Sequence, residues 1–285
     1  MSGLPLDTHL HTDLSPDADV PIDAYAGLAR QRGLAEIAIT DHLDFEPGAP
    51  AFAFAGYERR RRQVREAAER WAGEPAIRFG VEITYQAVHE AAIREHLAAH
   101  AYDYVIGSVH IMRGDPLASP ASAAAWCAGK THRQVSVPYF EEVAAAIRSG
   151  LFDTIGHLDF VKRYLVEHLG PFEFGQHADI YELLLVALGE SGAALEVNSS
   201  GLRQQAAETY PSPAAVARFR ELGGERVTAG SDAHRLDAFG SGLADAYRVI
   251  GAAGFRALAF RRGGPALLVE LGTELAMAYA DGRHA

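Results

Sequence analysis

The chain has 285 residues, and its 37 acidic against 26 basic side chains give a formal charge of −11 at neutral pH. This charge argues against nucleic acid or an anionic membrane as the main partner, because both attract a basic surface. The single cysteine, Cys127, excludes a disulfide framework and a cysteine-rich metal site. The length and the 48% apolar content fit one large α/β domain or two ordinary ones.

Targeting signals are not evident in the sequence. The first residues form neither a cationic nor an apolar leader region, and no apolar run reaches the ~18 residues that a bilayer span needs. We therefore expect a cytoplasmic protein without a membrane partner. Homo-oligomers are compatible with this sequence.

Short apolar segments alternate with longer helix-like stretches along the chain. Their β-branched and aliphatic composition is typical of strands buried on both faces of a parallel sheet. The predicted strands are Leu4–His9, Glu36–Thr40, Ile77–Ile83, Tyr102–Val109, Thr154–His157, Ala193–Asn198 and Arg226–Ser231. The predicted helices include Ile22–Arg32, Tyr57–Trp71, Val143–Arg148, Ala178–Glu190, Pro213–Leu222 and Leu243–Ala253.

Seven successive β-then-α units predict an α/β barrel or a doubly wound sheet. We favour a seven-unit barrel, because residues capable of chemistry follow every predicted strand, and barrels form their sites at that rim. The segment His110–Arg133 after the fourth strand is rich in Ala, Ser, Pro and Gly. We predict that it is an irregular loop that forms a lid or a wall of the substrate pocket.

Histidine is concentrated at the predicted rim. Six of the 13 histidines follow or end predicted strands: His9, His11, His42, His110, His157 and His234. Residues i and i+2 of a strand point to the same side, so His9 and His11 could reach one site together, as could Asp232 and His234. The other seven histidines and Cys127 are interpreted as solvated or incidental: His89, His96, His100, His132, His168, His177 and His284.

The rim residues predict a metal cluster. Neutral imidazole suits Zn²⁺, Fe²⁺ and Mn²⁺, and carboxylates add charge and can bridge two ions. Six histidines with Glu82, Asp232 and Asp17 give about nine ligands, which is enough for two or three ions. Several ions in one mouth favour hydrolysis of a charged ester by a shared hydroxide.

Six segments in register resemble the PHP (polymerase and histidinol phosphatase) superfamily. They are His9-Leu10-His11-Thr12, Thr40-Asp41-His42, Glu82, Gly107-Ser108-Val109-His110, Gly156-His157 and Ser231-Asp232-Ala233-His234. The resemblance implies a distorted seven-stranded (βα)7, TIM-like barrel with a trinuclear metal site at the C-terminal rim. It covers essentially the whole chain, so residues 1–285 are expected to form one phosphoesterase domain.

The resemblance also implies three ligand sets. The first ion would be held by His9, His11, Glu82 and Asp232, and the second by Glu82, His110 and His157, with Glu82 as the bridge. The third would be held by Asp17, His42 and His234. Some relatives have histidine where this chain has Asp17, which is a competent hard ligand.

A narrower similarity, to the histidinol-phosphate phosphatase branch, is carried by residues 156–164, 196–203 and 210–212. It implies hydrolysis of L-histidinol phosphate in histidine biosynthesis. Arg163 and Arg203 follow strand ends and are predicted to grip phosphate oxygens. With Glu82 and Asp232 they form the predicted catalytic set.

Some alternatives stay open at this point. Asp44 and Asp159 are candidates for the acid that protonates the leaving group. The same site could act on another phosphomonoester or a nucleotide. A metal-binding module without turnover is a further alternative, although every ligand motif is present and no polymerase segment is attached.

Overall fold

Seven parallel strands form the centre of the computed structural model, which describes residues 6–112, 115–116 and 120–271. We number them β1 to β7: Leu6–Leu10, Glu36–Ile39, Ala76–Thr84, Tyr104–Ser108, Thr154–Ile155, Ala194–Asn198 and Val227–Gly230. Each strand pairs in parallel with the next along the chain. All residues of six strands are buried, as their apolar composition predicts. Leu4 and Pro5 of the first predicted strand lie outside the described residues, as does His284.

The barrel is closed by contacts just beyond the ends of β1 and β7. The backbone N–H of Asp232 donates to the carbonyl of His9 at 2.9 Å, and that of His11 donates to the carbonyl of Ala233 at 3.0 Å. The Asp7 carboxylate also accepts hydrogen bonds from the backbone N–H and the hydroxyl of Ser231, at 2.9 and 2.6 Å. The predicted (βα)7, TIM-like barrel is therefore confirmed, with first and last strands joined mainly at the functional rim.

Helices surround the sheet. In chain order, α1 to α9 are Ile22–Gln31, Tyr57–Trp71, Glu90–Ala99, Pro120–Cys127, His132–Ser149, Lys162–Leu169, Ala178–Ser191, Pro213–Glu221 and Leu243–Ala252. Within the described residues, no helix combines the length and hydrophobicity needed to cross a membrane. A strand pair, Ala257–Phe260 with Leu267–Glu270, follows the last helix.

The prediction that His110–Arg133 is an irregular loop is wrong in part. Ile111–Met112 pairs with Asp115–Pro116, and α4 follows over Pro120–Cys127. Alanine has the highest helix propensity, and proline is favoured in the first helical turn, which explains this helix in the sequence PASAAAWC. Residues 113–114 and 117–119 of the predicted loop lie outside the described part of the chain.

Candidate metal centre

The nine predicted ligands converge at the carboxyl ends of the strands. His9 lies in β1 and Glu82 in β3, while His42 lies in a two-residue strand that pairs with β3 directly opposite Glu82. The others follow β1, β4, β5 and β7 on the same rim: His11, Asp17, His110, His157, Asp232 and His234. Register thus brings together residues that are more than 200 positions apart in sequence.

The first subsite is formed by His9, His11, Asp232 and one oxygen of Glu82. Both Nε2 atoms face Asp232 Oδ1, at 3.7 Å from His9 and 3.3 Å from His11, and Glu82 Oε2, at 3.3 and 3.5 Å. Ligands about 2.0–2.1 Å from a tetrahedral ion stand about 3.3 Å apart. These separations therefore fit a shared divalent ion.

The second subsite lies on the other oxygen of the same glutamate. Glu82 Oε1 is 2.9 Å from His157 Nε2 and 3.4 Å from His110 Nε2, and these two nitrogens are 3.2 Å apart. Ser108 donates its hydroxyl to Oε1 at 2.6 Å, and Thr84 Oγ1 is 3.0 Å from His110 Nδ1. Glu82 can consequently bridge the first and second subsites.

The third subsite is nearest to solvent. Asp17 Oδ2 is 3.3 Å from His42 Nε2 and 3.2 Å from His234 Nε2, and the two nitrogens are 3.3 Å apart. Half of the Asp17 side chain is exposed, whereas His42 is 13% exposed. Its donor set of two imidazoles and one carboxylate can hold a divalent ion.

Unpaired buried nitrogens support a metal rather than a hydrogen-bond network. His9 Nε2 and His11 Nε2 are fully buried and have no hydrogen-bond partner among the described residues. Buried polar atoms are nearly always paired, and a bound ion accounts for such exceptions. The residues of the first subsite thus fit a divalent ion on their own geometry.

The electrostatics of the cluster mix imidazoles with carboxylates. Burial alone would lower the pKa of His9, but the carboxylates of Glu196, Glu82 and Asp232 outweigh burial and hold that pKa well above its ordinary value. Burial dominates at His110 and, together with nearby imidazoles, lowers its pKa to about 3. His110 is therefore neutral near pH 7, as a ligand must be.

Glu196 and Asn198 are two contacts of the cluster that the sequence did not reveal. Glu196, in β6, accepts hydrogen bonds from the ring of His9 and the backbone of His157. Asn198, two residues on, donates to Glu196 at 3.1 Å and to Asp232 at 3.4 Å. Their placement at a predicted strand end was the available signal, but their partners lie on three other segments.

A cavity opens on the second and third subsites. It is lined by Pro16, Asp17, His42, Asp44, Pro50, Ala51, Thr84, His110, Ile111, Phe160, Arg163, Asp232 and His234. Among the described residues, the guanidinium of Arg163 makes no hydrogen bond, and it lies over the Phe160 and Tyr164 rings. Asp44 is the lining carboxylate outside the three subsites, and one of its oxygens accepts from the backbone of Ala51 at 3.0 Å.

Arg203, the second arginine predicted at the phosphate, contacts the backbone of the rim. Its terminal nitrogens donate to the carbonyls of Ser241 at 3.0 Å and Ser231 at 2.7 Å, with Asp232 at 3.4 Å. Asp232 has a positive φ of 52°, which is rare for a residue other than glycine. Arg203 thus supports the strained segment that carries a predicted ligand, and it is not among the residues that line the cavity.

Asp159, one of the two candidate acids, lies in a buried ion pair. Its Oδ2 is 2.8 Å from Lys162 Nζ and accepts from the Tyr181 hydroxyl at 2.5 Å, while the same lysine contacts Glu208 at 2.6 Å. Of the two candidates, the cavity lining includes Asp44 and not Asp159.

The prediction that all histidines outside the rim are solvated is wrong for His177. This side chain is buried and stacks on Phe172 with ring centroids 4.3 Å apart. His132 is partly buried and begins α5, where its Nε2 lies 2.9 Å from the carbonyl of Leu169. His168 is exposed, and the others are intermediate: His89, His96 and His100. His177 directly precedes α7 and is buried by its contact with Phe172, which the local sequence does not indicate.

A family model and two curated relatives relate this chain to the same group of proteins. The PHP domain family matches residues 7–200 of this chain. A probable histidinol-phosphatase of Deinococcus radiodurans is 34% identical over 272 residues, covering 92% of this chain and 98% of that protein. The histidinol-phosphatase of Lactococcus lactis is 26% identical over 260 residues, covering 89% of this chain and 93% of that protein.

A solved structure has the same fold. The crystal structure of the Lactococcus lactis histidinol phosphate phosphatase, complexed with zinc, L-histidinol and phosphate, matches with a TM-score of 0.84 at 24% identity. The match covers 92% of this chain and 98% of that one. With the family match over residues 7–200 and the 34% identity along nearly the whole Deinococcus protein, the chain belongs to the PHP family, within its histidinol-phosphatase branch.

Proposed function

We propose that this protein is a hydrolase of phosphoric monoesters that converts L-histidinol phosphate and water to L-histidinol and phosphate. The proposal rests on the three subsites that meet around Glu82. In the first and second subsites, the donor atoms lie 2.9 to 3.7 Å apart. The full-length similarity to histidinol-phosphatases supports this substrate. Histidine biosynthesis is the corresponding setting.

The proposed ligands are those of the three subsites. His9, His11, Glu82 and Asp232 would hold a first ion, and Glu82, His110 and His157 a second. Asp17, His42 and His234 would hold a third ion. Zinc is bound in the related Lactococcus structure, and the same donors also accept Fe²⁺ or Mn²⁺. Ions held in this way lower the pKa of bound water and neutralise charge on a phosphoryl group.

The side chains of the cavity supply the remaining contacts. Arg163 is proposed to bind phosphate oxygens, because it is one of the residues that line the cavity and its guanidinium makes no hydrogen bond to a described residue. Asp44 is proposed to bind the cationic amine or imidazole end of the substrate. For Arg203, phosphate binding stays a prediction, in addition to its hydrogen bonds to the rim.

The cellular location, the partners and the domain organisation are proposed from the sequence. The charge of −11 and the single cysteine favour a cytoplasmic protein that needs neither nucleic acid nor a membrane. Residues 1–285 are proposed to act as one phosphoesterase domain.

Metal analysis combined with phosphate release tests the proposed function. We expect two or three divalent ions per purified chain and faster release from L-histidinol phosphate than from a panel of nucleotides and simple phosphomonoesters. E82Q, which removes the bridging carboxylate, should lose metal and at least about 100-fold in kcat/KM. A preference for a nucleotide would favour a different phosphoesterase, and bound metal without any turnover would favour a binding module.

A further inference from the structure

β6 contributes none of the nine proposed ligands, yet its Glu196 contacts two of them. The side chain is completely buried. Its Oε1 accepts from His9 Nδ1 at 2.7 Å, and its Oε2 accepts from the backbone N–H of His157 at 2.8 Å. One carboxylate is therefore in contact with the first and the second subsite.

The contact with His9 determines which ring nitrogen can bind an ion. Because Nδ1 donates to Glu196, the proton of a neutral His9 ring stays on Nδ1 and the lone pair is on Nε2. That Nε2 is the buried atom that faces Glu82 and Asp232, and it has no hydrogen-bond partner in the described part of the chain. The opposite tautomer would place a proton where the ion must sit.

The surrounding backbone leaves room for this carboxylate. A Cβ at Gly230, the last residue of β7, would lie 2.7 Å from Glu196 Oε1 and 2.4 Å from His9 Cβ. On the other side, a Cβ at Gly156 would lie 3.5 Å from Glu196 Oε2 and 2.4 Å from Ser108 Oγ. Gly230 thus leaves the space that Glu196 occupies, whereas a side chain at Gly156 would meet Ser108 before Glu196.

We propose that Glu196 is a positioning residue that fixes the tautomer of His9 and the backbone of His157, and so couples the first two metal subsites. The proposal rests on the proposed function only in that it takes His9 and His157 as ligands. Asn198 extends the same chain of hydrogen bonds to Asp232. Glu196 itself is not proposed to touch an ion or the substrate.

The E196Q variant distinguishes a positioning role of Glu196 from a role in packing alone. E196Q keeps the shape, but its amide has one accepting oxygen, so its NH₂ group must face a donor, either His9 Nδ1–H or the backbone N–H of His157. If the NH₂ group faces the ring, it favours the tautomer that protonates Nε2. We therefore expect Zn²⁺ affinity at the tightest sites to fall by about 10–100-fold.

The experiment is competition of the full-length apo-protein with a chelator for Zn²⁺ alone, with circular dichroism as a check on folding. E36Q is the matched control, because Glu36 is also a buried carboxylate. It begins β2, at the end of the barrel away from the proposed ligands, where it pairs with Arg78 and Arg262. E36Q should bind Zn²⁺ like the wild type. E196D, which keeps the charge, should retain more affinity than E196Q and replaces it if E196Q does not fold.

The outcomes separate this inference from the proposed function. Wild-type affinity in E196Q, or equal losses in E196Q and E36Q, would overturn the positioning role and leave the proposed function standing. A wild-type protein that binds no divalent ion would overturn both. Because no substrate is present, the choice of L-histidinol phosphate does not affect the result.

Discussion

Arg163 and Asp44 place opposite charges on the lining of one cavity, beside the three subsites. A phosphate ester with a cationic tail has a matching distribution of charge. The guanidinium suits phosphate oxygens, which every phosphomonoester carries, and the carboxylate suits an ammonium or imidazolium group, which few carry. We therefore expect the two residues to contribute differently to the reaction rate and to substrate selectivity.

Substitution of each residue should show this difference. R163A is expected to lower kcat/KM about 10–100-fold for both L-histidinol phosphate and p-nitrophenyl phosphate, because both lose a charged hydrogen bond. D44N should lower kcat/KM by a similar factor for L-histidinol phosphate only, because only this substrate carries a cationic group. The amide oxygen of the variant can still accept from the backbone N–H of Ala51. Steady-state kinetics with both substrates provide the check. Equal losses of D44N on the two substrates would contradict a role in recognition.

At the scale of elements, the segment after β7 is tightly constrained by its contacts with β1. Gly230 ends β7, Ser231 binds Asp7, and Asp232 donates its backbone N–H to His9. The close approach at Gly230 leaves no space for a side chain, because His9 Cβ would be 2.4 Å from an added Cβ. This segment must keep its present position if His9 and Asp232 are to meet.

G230A should therefore destabilise the protein and weaken metal binding together. We expect a loss of about 1–3 kcal/mol in the free energy of unfolding, from the forced shift of β7 or His9. G251A is the control, since nothing lies within 4 Å of a Cβ at this position in α9 and alanine favours a helix. Denaturant unfolding with and without Zn²⁺ measures both effects. If G230A is as stable as G251A, the close approach is not a constraint.

The parts of the fold that a local pattern of apolar residues determines could be predicted from the sequence. Six strands are buried on both faces, so each appears in the sequence as a short apolar run. The predicted helix Val143–Arg148 covers only the last part of α5, which begins at His132 and continues through Pro138. Burial of Tyr139 and Phe140 on the same helix outweighs the local cost of proline.

The proposed ligands could be predicted from strand ends, but the residues proposed to orient them could not. His9 and Asp232 carry their chemistry in their own side chains, at positions that a barrel brings together. Glu196 is an ordinary acidic residue in the sequence, and its significance comes from its contacts with β1 and the segment after β5. Such contacts depend on register and on the space beside Gly230, which only the three-dimensional structure shows.

For the molecule as a whole, the candidate metal centre concentrates charge that folding must bury. Glu82 is buried among five imidazoles, and Asp232 lies beside two of these, His9 and His11, and beside His234. Burial would raise the pKa of Glu82, but the nearby histidines hold it well below its ordinary value. The apo-protein thus relies on protonated histidines, among them His9 and His42, to balance these carboxylates. A divalent ion can replace those protons.

Zinc should accordingly stabilise the whole molecule in a pH-dependent manner. Free Zn²⁺ at 100 times Kd should add about 2.7 kcal/mol per site, or roughly 5 °C in Tm. Because the pKa of His9 is raised, binding must release its proton, and the zinc-induced rise in Tm should grow from pH 6 to pH 8. Calorimetry of the wild type and E82Q at both pH values tests this, with E82Q expected to show little rise. A rise that is independent of pH would mean that no ligand loses a proton on binding.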